Sequence, residues 1–145
     1  MADTTRPTFA NYNTTVIDDF RANNGRVTSG YHANSDLLIL HTIGAKSGEE
    51  RVSPLVYTCD GDHLVIAASK GGAPVNPSWF ANIVAHPDVT VEAGGETFRA
   101  KAHVVTDRAE RDRLYAQHAK RYPGFLDYEK KTDRVIPVVL LEREG

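Results

Sequence analysis

Two short turns carry the residues of this chain best suited to gripping a polar ligand. In GAKSGEERVSP, residues 44–54, Lys46, Ser47, Arg51 and Ser53 lie within a few positions of Gly44 and Gly48. Glycines let backbone amides come close to an anion, and lysine and arginine add charge-assisted bonds to a phosphate or carboxylate. In AASKGGAPVNPSWFAN, residues 67–82, Ala67, Ala68, Ser69 and Lys70 precede Gly71 and Gly72. Amides of residues 68–70 can donate to a carbonyl-rich ring. Asn76-Pro77 reads as an N-cap and a first helical position, which leaves the first amides of a helix facing outward. Each turn also has a plainer reading. The first is a solvated hairpin with Lys46 and Arg51 opposed by Glu49 and Glu50, and in the second Trp79 and Ile83 are core residues.

Other chemistry is sparsely represented. The six histidines are scattered at 32, 41, 63, 86, 103 and 118, and no pair has the spacing of a helical metal site, so no metal centre is expected. The single cysteine, Cys59, excludes an intramolecular disulfide and reads as a small packing residue. There is no GxSxG elbow and no phosphate-binding Walker loop. If the chain is an enzyme, a cofactor carries the reaction and the protein orients it.

The elements that must position these turns follow from periodicity. Thr14 or Thr15 can cap a helix reaching Ala22, with Val16, Ile17 and Phe20 on one face, after a loosely ordered stretch over 1–13. Residues 21–36 read as a loop. Apolar runs predict strands at 37–42, 52–58, 63–69, 89–93, 96–105 and 135–142, with Pro54 marking an edge or bulge. A helix runs from Asn76 to Ala85. Asp107 with Glu110 resembles a capping box that opens a helix to Arg121, and a short helix fits 122–134. About six mostly antiparallel strands with three to four flanking helices predict an α+β domain built on a small barrel. The 145 residues, 41% hydrophobic and 25% charged with net charge −2, suit one core and argue against nucleic-acid binding. No signal-type or membrane-spanning run appears, so a cytoplasmic protein is expected.

The segments LLILHTIGAKSGEERVSPL, AASKGGAPVNPSWFANI, RYPGFLDYEKKTDR and IPVVLLE, in this order over residues 36–142, strongly resemble the deazaflavin-dependent nitroreductase family. That resemblance implies a split β-barrel of the FMN-binding type, over 36–145, that binds coenzyme F420. Residues 1–35 would form a partly disordered N-terminal segment with one helix. The resemblance places the deazaflavin ring against Ala67, Ala68, Ser69 and Lys70 and the start of the next helix, at Ser78, Trp79, Phe80, Ala81 and Asn82. The phosphate and glutamate tail would run over Lys46, Ser47, Arg51, Val52 and Ser53. It implies a reductase that passes a hydride from reduced F420 to a quinone or another electron-poor molecule such as a nitro compound. Ser69, Tyr122 and Tyr128 are the implied donor residues, and Phe125 and Tyr128 line the substrate pocket. Relatives that reduce nitroimidazoles carry tyrosine where this chain has Phe125, so weak nitroimidazole reduction is expected. Ala45, where relatives often carry arginine, removes one cation from the tail site.

Two alternatives stay open from the sequence: an FMN-binding oxidoreductase on the same barrel, and a carrier that holds a ligand without turnover. The family includes monomers and dimers. Peripheral membrane contact through the first helix is also open, although Asp18 and Asp19 interrupt its surface and packing across the barrel mouth is the expected use of Val16, Ile17 and Phe20.

Overall fold

The chain's two outermost strands are consecutive in sequence, and this dictates the architecture. The computed structural model describes residues 9–23 and 36–144; of the loosely ordered stretch expected over 1–13 and the loop expected over 21–36, residues 1–8 and 24–35 lie outside them. Among the described residues, seven strands form one antiparallel sheet: β1 (Leu37–Ile43), β2 (Glu50–Val56), β3 (Thr58–Asp60), β4 (His63–Ala67), β5 (Asp88–Ala93), β6 (Glu96–Val104) and β7 (Val138–Arg143). Their order is β2-β1-β5-β6-β7-β4-β3. Only Tyr57 separates β2, at one edge, from β3, at the other. The sheet must therefore curl until its edges approach, which makes a split barrel. The strand expected over 52–58 is thus two strands in different parts of the sheet.

Tyr122 stitches this seam. Its hydroxyl donates to the Tyr57 carbonyl at 2.8 Å and accepts from the Asp36 amide at 3.2 Å. The Tyr57 amide donates to the Asp36 carbonyl at 3.0 Å.

Alternation along each strand divides the apolar residues between two faces. Leu38, Leu40, Ile66, Val91, Ala100, Ala102, Val139 and Leu141 fill the interior. Helix α2 (Ser78–Ala85) plugs it with Trp79 and Ile83. On the outer face, Val65, Ala67 and Val138 are covered by α3 (Arg108–Arg121) and α4 (Gly124–Lys131) through Leu114, Tyr115, Ala119 and Phe125. Asp107 caps α3 as expected, accepting from the Glu110 amide at 3.0 Å.

Helix α1 (Phe9–Ala22) begins earlier than the sequence suggests and covers the outer face of β1 and β2. Val16 and Phe20 pack on Leu37 and Ile39, with Ile17, Val52 and Val56 beside them. The stripe expected to cross the barrel mouth instead shields an outer face, because Leu37 and Ile39 alternate outward and need a cover. Arg21 anchors the helix end, donating to both Glu92 carboxylate oxygens at 3.0 and 2.6 Å. His41 Nε2 lies 2.6 Å from the same carboxylate. Cys59 is exposed rather than packed, because β3 is an edge strand.

Candidate active site

Between β4 and α2 the chain leaves the sheet through a compact loop. Ser69 is buried and right-handed (φ −79°, ψ −38°), and Lys70 adopts φ +49°. A left-handed lysine is costly, on the order of 1 kcal/mol or more, and persists only where its surroundings impose it. A short 3-10 turn over Lys70–Gly72 follows, with the Gly72 amide donating to the Ser69 carbonyl at 3.0 Å.

Arg134 imposes that shape. Its guanidinium donates to the carbonyls of Ala68 (3.1 Å), Ser69 (2.8 Å) and Ala73 (3.0 Å), and to Asn76 Oδ1 (2.7 Å). Asn76 is therefore not the helix cap: Pro77 occupies that position, no side chain caps the helix, and the Asn76 carboxamide is spent on Arg134.

The glycines serve packing as well as access. Gly72 has φ +85°, and a Cβ there would meet Lys131 Cβ at 2.8 Å and the Tyr128 carbonyl at 2.9 Å. The missing side chain lets α4 lie directly on the loop, with the Tyr128 carbonyl and Lys131 against Gly72. Tyr128 is half-buried, and its ring meets that of Phe125 edge-on at 5.0 Å between centroids.

The Lys46 turn, the first of the two, is tied to α2. Asn82, buried in α2, accepts from the Ala45 amide at 2.9 Å and donates to Thr42 Oγ1 at 3.1 Å. Gly44 leaves room for the Ser47 hydroxyl, which would clash with a Cβ there. That hydroxyl accepts from the Glu49 amide at 3.2 Å. Lys46 and Arg51 are exposed, and Arg51 approaches Glu49 only loosely, at 3.6 Å between two solvated side chains. Arg51 and Ser53 pair across the strand with Thr42 and Leu40 and share their face, while Val52 packs on the α1 side.

The expected site residues therefore divide. Lys46, Ser47, Arg51 and Ser53 gather at one end, and Ala68, Ser69 and Lys70 lie at the other, with α2 between. Ser78 and Ala81 are exposed on that helix, Phe80 is half-buried, and Trp79 is a core residue. Ala67 faces the α3 side. Asn82 is committed to positioning the first turn. The Tyr122 hydroxyl is committed to the seam. Phe125 is 8% exposed within an aromatic cluster, its ring 4.5 Å from that of His118, and its carbonyl accepts from the Tyr115 hydroxyl at 2.6 Å.

Sequence reasoning missed two residues. Arg134 gave no signal beyond being a charge just before an apolar strand. His118 looked like one more scattered histidine, yet it is fully buried, with Nδ1 3.0 Å from Thr58 Oγ1 and no partner for Nε2 among the described residues. Burial lowers its pKa to about 4. No helix among the described residues is long and apolar enough to cross a membrane.

The model of a protein family described as F420H(2)-dependent quinone reductase matches residues 13–143. An F420H(2)-dependent quinone reductase of Mycobacterium tuberculosis is 38% identical over 132 residues, covering 86% of this chain and 85% of its own. A solved structure of an F420-H2 dependent reductase (FDR-A) superposes with TM-score 0.67 at 35% identity, over 74% of this chain and 94% of that one. Another, described as a domain-swapped dimer, gives TM-score 0.68 at 32% identity over 89% and 97%.

Proposed function

The chain belongs to the F420H(2)-dependent quinone reductase family, and from that premise we propose that α2, the loop that leads into it and the turn tied to it through Asn82 form the coenzyme site, with Ser69 and Tyr128 facing the electrophile. One observation carries this reading. The Ser69 and Lys70 amides find no acceptor among the described residues, at a turn with Ser69 buried and Lys70 exposed that a single helix links to the Lys46–Arg51 turn. Neutral donors at one end and cations at the other match a carbonyl-edged ring with an anionic tail, so the residues present fit coenzyme F420.

When bound, the reduced deazaflavin supplies a hydride to the quinone. The protein's part is placement and charge. The Ser69 and Lys70 amides hold the polar ring edge. Lys46, Ser47, Arg51 and Ser53 steer the phosphate and glutamates, which reconciles a local basic site with a net charge of −2. Tyr128 and Phe125 wall the electrophile's side and exclude water. Ser69, and the hydroxyl of Tyr128 on the helix packed against that loop, are the groups assigned to stabilise charge developing on the quinone oxygen. Tyr122 supports the wall from the seam. A dimer in solution is supported by the related domain-swapped structure and is checked by sedimentation.

Titration of the purified protein with F420 and with FMN tests this reading, using fluorescence quenching. Saturable F420 binding, with oxidation of F420H2 on adding a soluble naphthoquinone, is the expected result. Preferential FMN binding would sink it in favour of a flavin enzyme, and F420 binding without turnover across a quinone panel would favour a carrier.

A further inference from the structure

We infer that Arg134 is a positioning residue for the cofactor: it aims the Ser69 and Lys70 amides at the ring edge and places an unneutralised positive charge behind them. The inference rests on the coenzyme site proposed above, but its evidence is the loop's own geometry.

In a trans peptide the carbonyl and the next amide point in opposite directions. Arg134 takes the carbonyls of Ala68 and Ser69 at 3.1 and 2.8 Å. The amides of Ser69 and Lys70 must then point away from the guanidinium, and neither finds an acceptor among the described residues. The dihedrals agree. A right-handed residue followed by one with positive φ is the backbone arrangement that gathers successive amides into an anion-binding concavity. Lysine has no preference for that conformation, so an outside constraint is needed, and the fork of Arg134 supplies it by holding both ends of the loop through Ala73 and Asn76.

The charge is the second part. None of the four acceptors is a carboxylate, and partial burial of the guanidinium, which lowers its pKa, is opposed only by the Tyr115 phenol and by no carboxylate among the described residues. Arginine remains charged all the same. A cation held beneath two amide donors favours a ligand that carries negative charge at that edge, as an 8-hydroxydeazaflavin does when its ring hydroxyl ionises and the charge spreads to the ring carbonyls.

The test compares Arg134→Lys, which keeps the charge and loses the fork, with Arg134→Gln, which loses the charge. The probes are oxidised F420 and its ring-ribityl fragment without phosphate or glutamates. The readouts are Kd by fluorescence quenching, melting temperature, and the pH midpoint of the bound ring's visible band. Losing charged hydrogen bonds to the loop is expected to raise Kd for both probes by about tenfold or more in each variant. Lys46→Ala should weaken only the full coenzyme. Arg134→Gln should raise the bound ring's ionisation midpoint by about one pH unit, and Arg134→Lys should leave it near wild type. In wild-type protein the fragment should shift the NMR signals of the Ser69 and Lys70 amides. Unchanged affinity of Arg134→Lys for the fragment, or unmoved Ser69 and Lys70 signals, overturns the inference while leaving the site proposal standing. If wild type binds neither probe, both fall. If Arg134→Gln does not fold, the lysine variant and the amide shifts decide.

Discussion

The side chain of Asn82 lies between the Ala45 amide, from which it accepts at 2.9 Å, and the Thr42 hydroxyl, to which it donates at 3.1 Å. A single buried carboxamide thereby fixes the Lys46 turn to the helix that follows the Ser69 loop. Asn82→Leu leaves a buried hydroxyl and a part-buried amide without partners, at about 1–3 kcal/mol for such groups. Urea unfolding should show that loss. The variant should also bind full F420 more weakly while binding the tail-less fragment nearly as well, because only the tail turn loses its tether.

The exposed cations of that turn should matter for binding and not for folding. The Arg51–Glu49 pair is long and solvated, so its removal costs roughly 0–1 kcal/mol. Replacing Lys46 and Arg51 together by alanine should leave the melting temperature within a few degrees of wild type, about the range such a change allows. The Kd for F420 should rise at least about tenfold, with a flatter salt dependence than wild type.

Tyr122 and Tyr128 should separate by readout. Tyr122→Phe removes the seam bond to the Tyr57 carbonyl and is expected to lower stability by about 1–2 kcal/mol with little change in kcat. Tyr128→Phe keeps the ring contact with Phe125 and should lower kcat with a quinone substrate. The reverse pattern would return Tyr122 to the reacting centre.

Acid should destabilise the protein through two groups. His118 has its pKa lowered from 6.5 to about 4 by burial. Between those values the unfolded chain binds the proton and the folded chain does not, so stability falls as pH drops from about 6.5 towards 4, by up to roughly 3 kcal/mol. Glu92 is lowered mainly by its hydrogen bond from Arg21, and its contribution is present above the ordinary carboxylate range and is lost as pH falls through its depressed folded value. Urea midpoints for wild type and His118→Phe at pH 7 and pH 5 check the first group: the variant should lose most of the pH dependence.

Linear pattern was enough to place most of the elements and the chemistry available to them. Apolar runs set most strands, Asp107 announced the α3 cap, and the two glycine-bearing turns stood out because their backbone freedom and charge are local properties. The family resemblance followed from the same stretches. What a linear pattern does not contain is which groups are used up by distant partners. Residues 52–58 read as one strand, and only the curl of the sheet shows that Tyr57 carries the chain from one edge to the other. Asn82 and Tyr122 read as ligand contacts, yet partners 37 and 65 residues away claim the carboxamide and the hydroxyl. Arg134 drew no notice, and it holds a loop more than sixty residues upstream. Hydrogen-bond capacity is finite, so a residue's role depends on what remains after folding, and only the tertiary structure fixes that remainder.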